Sequence, residues 1–407
     1  MGLILNTSTI IRNLSIGPLS GGGNGGGGEG SSSEPSYLAV GAQQANSYTG
    51  AAYIFDAANY SSTPTELLPP TSGESFGNAL AIHGNQIAIG ASYASNVGNT
   101  GGAVYVYDGT NLSASPTRLN PSGLSDSDRF GSSIAINGTY LAVGAILDDD
   151  QDNNAGAVYV YDATNLSNTP TKLAPTGLDD SDYFGQSVAI TSNQIIVGAF
   201  FDDDQGENAG AVYVYDANNL STTPTKLAPS GLDTIDNFGL SVAATSNLIV
   251  VGARGDDDID GDTGAVYVYD ATNLSATPTK LAPTGLGQSD YFGNKVAATT
   301  NHIVISAHNK DDVAFDAGAV YVYDANNLSA APTKLTPSGI GESDNFGYSV
   351  AAHGNQIAVG ARQDDDQGSN AGAVYVYDAS NLSATPIKLA PSALDVNYKF
   401  GDTVSLG

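Results

Sequence analysis

The 407-residue chain contains no cysteine and no tryptophan, and only one methionine. Without cysteine there is no disulfide framework, no thiol nucleophile and no thiolate metal site. Basic residues are also scarce: 13 Lys and Arg face 42 Asp and Glu, a formal charge of −29. Nucleic acid is therefore excluded as a partner, because displacing counterions from phosphates needs a basic face. An anionic membrane surface would repel the chain for the same reason. No apolar run approaches the ~18 residues of a membrane-spanning helix, so no membrane insertion is expected. What is abundant is glycine (49), tyrosine (22) and a hydrophobic fraction of 41%, enough to build a core.

The N-terminus differs from the rest. Met1–Ser20 has no basic leader, and Asn6, Thr7 and Arg12 interrupt its apolar residues, so it does not read as a secretory signal. Leu3, Ile4, Leu5, Ile10 and Ile11 make residues 1–20 a β-prone docking arm that cannot fold alone. Residues 21–36 are rich in Gly and Ser and read as a flexible tether.

Residues 37–407 are a repeat. Phe-Gly recurs at Phe76, Phe130, Phe184, Phe238, Phe292, Phe346 and Phe400, always 54 residues apart. Gly-Ala or Ser-Ala after an apolar run appears at Gly41, Gly90, Gly144, Gly198, Gly252, Ser306 and Gly360. A tyrosine-led tetrad ending in Asp begins at Tyr53, Tyr105, Tyr159, Tyr213, Tyr267, Tyr321 and Tyr375. Three markers, each seven times, describe one repeat architecture rather than several domains.

Each unit reads as four short strands. In the third these are Phe184–Ile190, Gln194–Ala199, Gly210–Asp216 and Thr225–Pro229, punctuated by Gly, Asn, Asp and Pro. No segment sustains a 3.6-residue period, so the fold is all-β. The second and third strands are apolar on both faces, as strands between neighbouring sheets must be. Four strands in about 50 residues is the arithmetic of a β-propeller blade. The ends agree. Phe400–Gly407 supplies one strand, and residues 37–68 supply the three that it lacks. Together they predict a seven-bladed β-propeller whose ring is closed by C-terminal strand 400–407 joining the N-terminal strands.

Phe-Gly followed by Val-Gly-Ala, in units of this length, resembles the FG-GAP repeats of the integrin α-subunit propeller and its bacterial relatives. The resemblance implies a binding propeller and calcium loops between the first and second strands. Here that connection, Ile190–Gln194, is short and carries no carboxylate, so those metal positions are not carried over.

The acid lies elsewhere. By propeller geometry the 2–3 and 4–1 connections share one face, and 31 of the 42 acidic residues fall in them. Asp256, Asp258, Asp260 and Asp262 alternate around Gly261 as in a calcium loop, and Asp148, Asp150 and Asp152 form a weaker copy. These loops read either as calcium sites, with modest affinity because a distal bidentate Glu is missing, or as capped hairpin turns that keep the face soluble. On the opposite face, Asp162 is expected to pair with Lys172. Arg254-Gly255-Asp256 spells an integrin-ligand tripeptide but sits on the repeat template, and the once-per-blade Asn-x-Ser sequons read as turns between strands three and four.

No blade breaks the pattern with a convergent set of titratable groups, so a non-enzymatic protein is expected. Seven similar loops on a rigid scaffold suit recognition. The arm resembles the opening segments of phage virion and fibre proteins. The expected role is structural: a propeller displayed on a virion surface through residues 1–20 docked on other virion proteins, contacting a host glycan or receptor. The alternative is an exported or bacterial cell-surface adhesin dependent on calcium.

Overall fold

The computed structural model describes residues 37–71, 74–95, 101–392 and 394–407. The arm, the tether and the anchoring residues Leu3, Ile4, Leu5, Ile10 and Ile11 lie outside the described residues. The described chain forms seven antiparallel four-stranded sheets in a ring. Blades are numbered here by their leading Phe-Gly pair, from Phe76 (first) to Phe400 (seventh).

The third blade shows how the sequence builds one unit. Its strands are Ser187–Ile190, Gln194–Ala199, Ala211–Asp216 and Thr225–Leu227. The two middle strands are buried on both faces because each blade is sandwiched between two others. The fourth strand stops after Leu227 and is short, polar and at the sheet edge, a geometry that discourages edge-to-edge pairing. The first strand begins later than the apolar pattern suggests. Phe184 is bridged in parallel to Gly156 of the preceding blade, which ties it to its neighbour before pairing within its own sheet starts.

The Phe of every Phe-Gly pair is fully buried. Phe130 packs among Val104 and Val106 of the first blade while meeting Tyr159 and Tyr161 of its own blade edge-on, at 5.5 and 6.4 Å. It is a wedge joining two sheets, in the edge-to-face arrangement aromatic quadrupoles favour. The glycine of Gly-Ala is needed for the same packing: a Cβ on Gly144 would lie 2.2 Å from the carbonyl oxygen of Gly185 in the next blade. A hydroxyl belt runs beside this contact. Ser133, Ser187, Ser349 and Thr403 each donate to the carbonyl of the next blade's Phe-Gly glycine, at 2.6–2.8 Å.

The ring closes as the end fragments predict. Thr403–Leu406 pairs antiparallel with Tyr37–Ala42, in the register Leu38↔Leu406, Ala39↔Ser405, Val40↔Val404 and Gly41↔Thr403. Gly407 and Tyr37 exchange two further backbone hydrogen bonds. First strands from all seven blades line an axial cavity of about 130 Å³. That is below the ~300 Å³ at which small-molecule pockets begin.

Candidate functional site

The acidic 2–3 loops begin at the end of strand two, where the repeat aims one aspartate inward. In the second blade this is Asp148, 2% exposed, which accepts from the Tyr159 hydroxyl at 3.0 Å and from Lys172 at 2.7 Å. Lys172 also holds the exposed Asp150 at 2.6 Å and lies over the Tyr159 ring at 5.4 Å. The third blade repeats this with Asp202, Tyr213, Lys226 and Asp204. The fourth uses Asp256, Tyr267, Lys280 and Asp258, and the sixth Asp364, Tyr375, Lys388 and Asp366. Each lysine comes from strand four and reaches the loop because its register partner is the tetrad tyrosine, as in Tyr159↔Lys172.

This corrects the expected pairing of Lys172 with Asp162 on the opposite face. Asp162 instead accepts the amide and hydroxyl of Thr164 at 2.9 and 2.6 Å and caps the turn after strand three. Strand four is antiparallel to strand three, so Lys172, opposite Tyr159, is carried toward the 2–3 end and away from Asp162.

The alternating carboxylates do not converge into a cation cage. Asp256 and Asp258 close on Lys280, whereas the Asp260 carboxylate accepts the Gly261 amide and Asp262 takes a left-handed backbone at φ 50°. Asp148 and Asp150 close on Lys172, and the Asp152 carboxylate accepts the Asn153 amide. Among the described residues no group of three or more His, Cys, Asp or Glu side chains is disposed to hold a metal. A lysine ammonium lies between Asp256 and Asp258, and another between Asp148 and Asp150.

Other sequence candidates are dispersed. Asp256 of the Arg-Gly-Asp tripeptide is 3% exposed and bonded within its own blade, so the tripeptide cannot be presented as a ligand. The sequons are turns: Ser167 donates to Asn165 at 2.6 Å and Ser221 to Asn219 at 2.7 Å. His302 opens the second strand of the fifth blade and His308 follows its end, so they lie at opposite faces of the ring.

A feature the sequence reading missed lies on the outer rim. Between the second and third blades a groove of about 390 Å³ is lined by Lys172 and Pro175 on one wall and Asp204, Tyr215, Pro224 and Lys226 on the other. Its equivalent between the third and fourth blades measures about 460 Å³ and contains Pro229, Asp258, Tyr269 and Lys280. The hydroxyls of Tyr215 and Tyr269 are buried and have no hydrogen-bond partner. A buried hydroxyl without a partner forgoes roughly 1–3 kcal/mol. The sequence signal was the second tyrosine of six of the seven tetrads, buried yet polar; Phe55 stands there in the seventh.

The FG-GAP repeat model matches residues 70–107, 116–161, 169–215, 222–269, 278–323 and 332–377. The chain belongs to the FG-GAP repeat family. Six matches accompany seven blades because the seventh FG-GAP unit is split between the two chain ends. No curated protein matches the chain. Among solved structures, the β-propeller domain of the Trilobed protease from Pyrococcus furiosus is similar, with TM-score 0.52 and 11% identity, over 88% of this chain and 95% of that one. Its description gives an open velcro topology, whereas here the C-terminal strand pairs with the N-terminal one. A eukaryotic initiation factor structure matches at TM-score 0.39 and 12% identity, over 83% of this chain and 71% of that chain. At 11% identity the likeness to the protease's propeller domain concerns the fold alone.

Three FG-GAP blades depart from the Asp–Tyr–Lys lock. In the fifth, Lys310 stands where other blades have the buried aspartate, and it pairs with Asp290 at 3.1 Å and Asp312 at 2.9 Å; Asp312 also holds Lys334. In the first, Ala94 replaces the aspartate, and the Tyr105 hydroxyl donates to Glu74 at 2.9 Å. In the seventh, Ala45 replaces it, Glu66 replaces the lysine, and Tyr53 donates to Glu66 at 3.0 Å. The tyrosine keeps a carboxylate partner in six blades, whichever position supplies it.

A second carboxylate accompanies the lock. Asp182 and Asp236 are buried, and each accepts one amide, from Asp179 at 2.9 Å and Asp233 at 2.8 Å. Burial raises both to about 7, reinforced by the neighbouring charges of Asp202 and Asp256 and opposed by those amide bonds. Their folded pKa lies above the unfolded value of about 3.9, so the native state binds the extra proton in that window. Stability from these groups is therefore full below about pH 4 and falls as pH rises toward about 7. Asp182→Asn, a mimic of the protonated form, is expected to raise the melting temperature at pH 8 and leave it nearly unchanged at pH 4. Melts at the two pH values check this.

Proposed function

We propose that the protein is a non-enzymatic binding and structural protein whose propeller meets a host-surface glycan through its rim grooves while residues 1–20 dock it on a virion. The FG-GAP propeller is a binding and structural kind of domain, and that much follows from the family match. The observation that carries the finer reading is one groove chemistry found at two adjacent blade junctions of a rigid ring: prolines, a lysine–aspartate pair and a tyrosine hydroxyl in want of a partner. Several equivalent weak sites on one scaffold favour a repetitive ligand, because each bound site raises the effective concentration at the next. Polar grooves with flat apolar walls suit neutral saccharides. The apolar arm and its tether suit a module that stands off from a particle.

The test is a glycan array probed with the full chain in calcium and in chelator, beside assembly of particles from a form lacking residues 1–36. Calcium-independent binding to neutral glycans, weakened by Tyr215→Phe, together with failure of the truncated form to incorporate, is the expected result. Binding lost in chelator would favour an exported or cell-surface calcium-dependent adhesin. Normal incorporation of the truncated form would remove the virion anchor.

A further inference from the structure

At the axial mouth on the acidic face, the repeat is broken by positive charge. The residue after Gly-Ala is Ile146 in the second blade and Phe200 in the third, but Arg254, His308 and Arg362 in the fourth, fifth and sixth. These three meet two tyrosines set beside the Phe-Gly pairs. His308 stacks on Tyr291 at 5.9 Å and meets Tyr348 edge-on at 5.7 Å. Arg254 lies 5.6 Å from the Tyr291 ring centre and Arg362 3.5 Å from that of Tyr348. Lys295 enters the same cluster from a position where four other blades carry the serine of the Phe-Gly strand. It is half-buried, and its pKa is lowered by burial and then by Arg254. Its blade accommodates it by a second exchange: Ser306 replaces the Gly of Gly-Ala, and its hydroxyl accepts the Lys295 amide at 2.9 Å.

Arg362 has one acidic neighbour, Asp402 at 3.6 Å. Among the described residues neither Arg254 nor Lys295 has a carboxylate within 4.0 Å. Holding like charges together in a chain of net charge −29, with abundant aspartates nearby left unused, costs energy unless an anion joins them. His308 is kept neutral, its pKa pushed down to about 3 by burial and then by Arg362, Arg254 and Lys295; its buried Nδ1 has no partner. The surrounding acidic face would repel a polyanion, so a ligand with a single negative group fits best.

We propose that Arg254, Lys295 and Arg362 form a single oxyanion site at the axial mouth, which takes the carboxylate of an acidic sugar with its ring against Tyr291 and Tyr348. The guanidinium forks and the ammonium bind the carboxylate by charge-assisted hydrogen bonds, and the His308 imidazole adds a neutral polar contact. The site is unique in the ring, whereas the rim grooves repeat, and it takes a different ligand; only the host origin of that ligand rests on the binding role proposed above.

The test is titration of the full chain with glucuronate, with glucose as the uncharged control and inorganic sulfate as competitor, followed by ligand-observed NMR. Glucuronate is expected to bind saturably, glucose not to, and sulfate to compete. Lys295→Ser and Arg254→Ile, which install residues that other blades carry, are each expected to weaken glucuronate about tenfold or more while leaving the melting temperature within a few degrees. Equal binding of glucose, or glucuronate affinity unchanged in both variants, would overturn the proposal. Because neutral glycans on the array report the grooves and free glucuronate reports this mouth, either reading can fail without the other.

Discussion

Removing Thr403–Gly407 is expected to abolish cooperative folding of the propeller, the largest effect of any change considered for this chain. Among the described residues these five carry the strand that joins the two ends. Without them, Tyr37–Ala42 loses its four register partners and becomes an exposed sheet edge along Leu38, Ala39 and Val40, which are otherwise fully buried. Leu406, 1% exposed, packs in one cluster with Leu38, Val40 and Phe400. The blade left behind would have three strands, and its neighbours would lose a packing face. Leu406→Ala is the graded form, and it is expected to cost about 2–5 kcal/mol by loss of buried area and the cavity that remains. Urea unfolding followed by circular dichroism reads both. A truncated chain that melts within a few degrees of the full one would show that the ring does not depend on its closure.

Lys226→Met is expected to destabilise the protein by about 3–5 kcal/mol, the range for removing one partner of a buried ion pair. The lysine neutralises Asp202, which is 2% exposed and also accepts from Tyr213, and Asp202 in turn acts on the second buried carboxylate, Asp182. Deleting the ammonium leaves two buried carboxylates and no cation. Adding Asp202→Asn to Lys226→Met is expected to restore much of the loss, because the stranded charge goes with it; the difference between single and double variants measures the coupling. The chain's own seventh blade argues for this outcome: where Ala45 replaces the aspartate, Glu66 stands in place of the lysine. A single variant as stable as the parent would mean that the lock contributes nothing beyond its shape.

The fold was legible because its markers are backbone requirements. Phe184 must wedge, Gly198 must let the next strand approach, and Tyr213 must bury its ring, so each recurs at fixed spacing and the count of blades follows. The split of one unit between residues 37–68 and 400–407 was legible for the same reason. The site was less so. A run such as Asp202-Asp203-Asp204 looks like a metal loop or a solvated turn until the register sets Lys226 opposite Tyr213 and turns the ammonium toward the loop. The signal was present in the departures: the first and seventh blades, which lack the aspartate at Ala94 and Ala45, also alter the strand-four residue, to Arg118 and Glu66. The cationic mouth was harder to see, because Arg254, Lys295 and Arg362 are dozens of residues apart and meet only when three blades are placed side by side. The rim grooves escaped because their unpartnered groups, Tyr215 and Tyr269, look like ordinary core aromatics in the sequence.

The claim on which the rest depends is that the carboxylates of the acidic face are bound by the chain's own lysines and tyrosines. Calorimetric titration of the full chain with calcium, with melting curves in calcium and in chelator, tests it most directly. No saturable heat and coincident melts are predicted. Saturable binding with a higher melting temperature in calcium, lost on Asp256→Asn, would contradict it and restore these loops as metal sites.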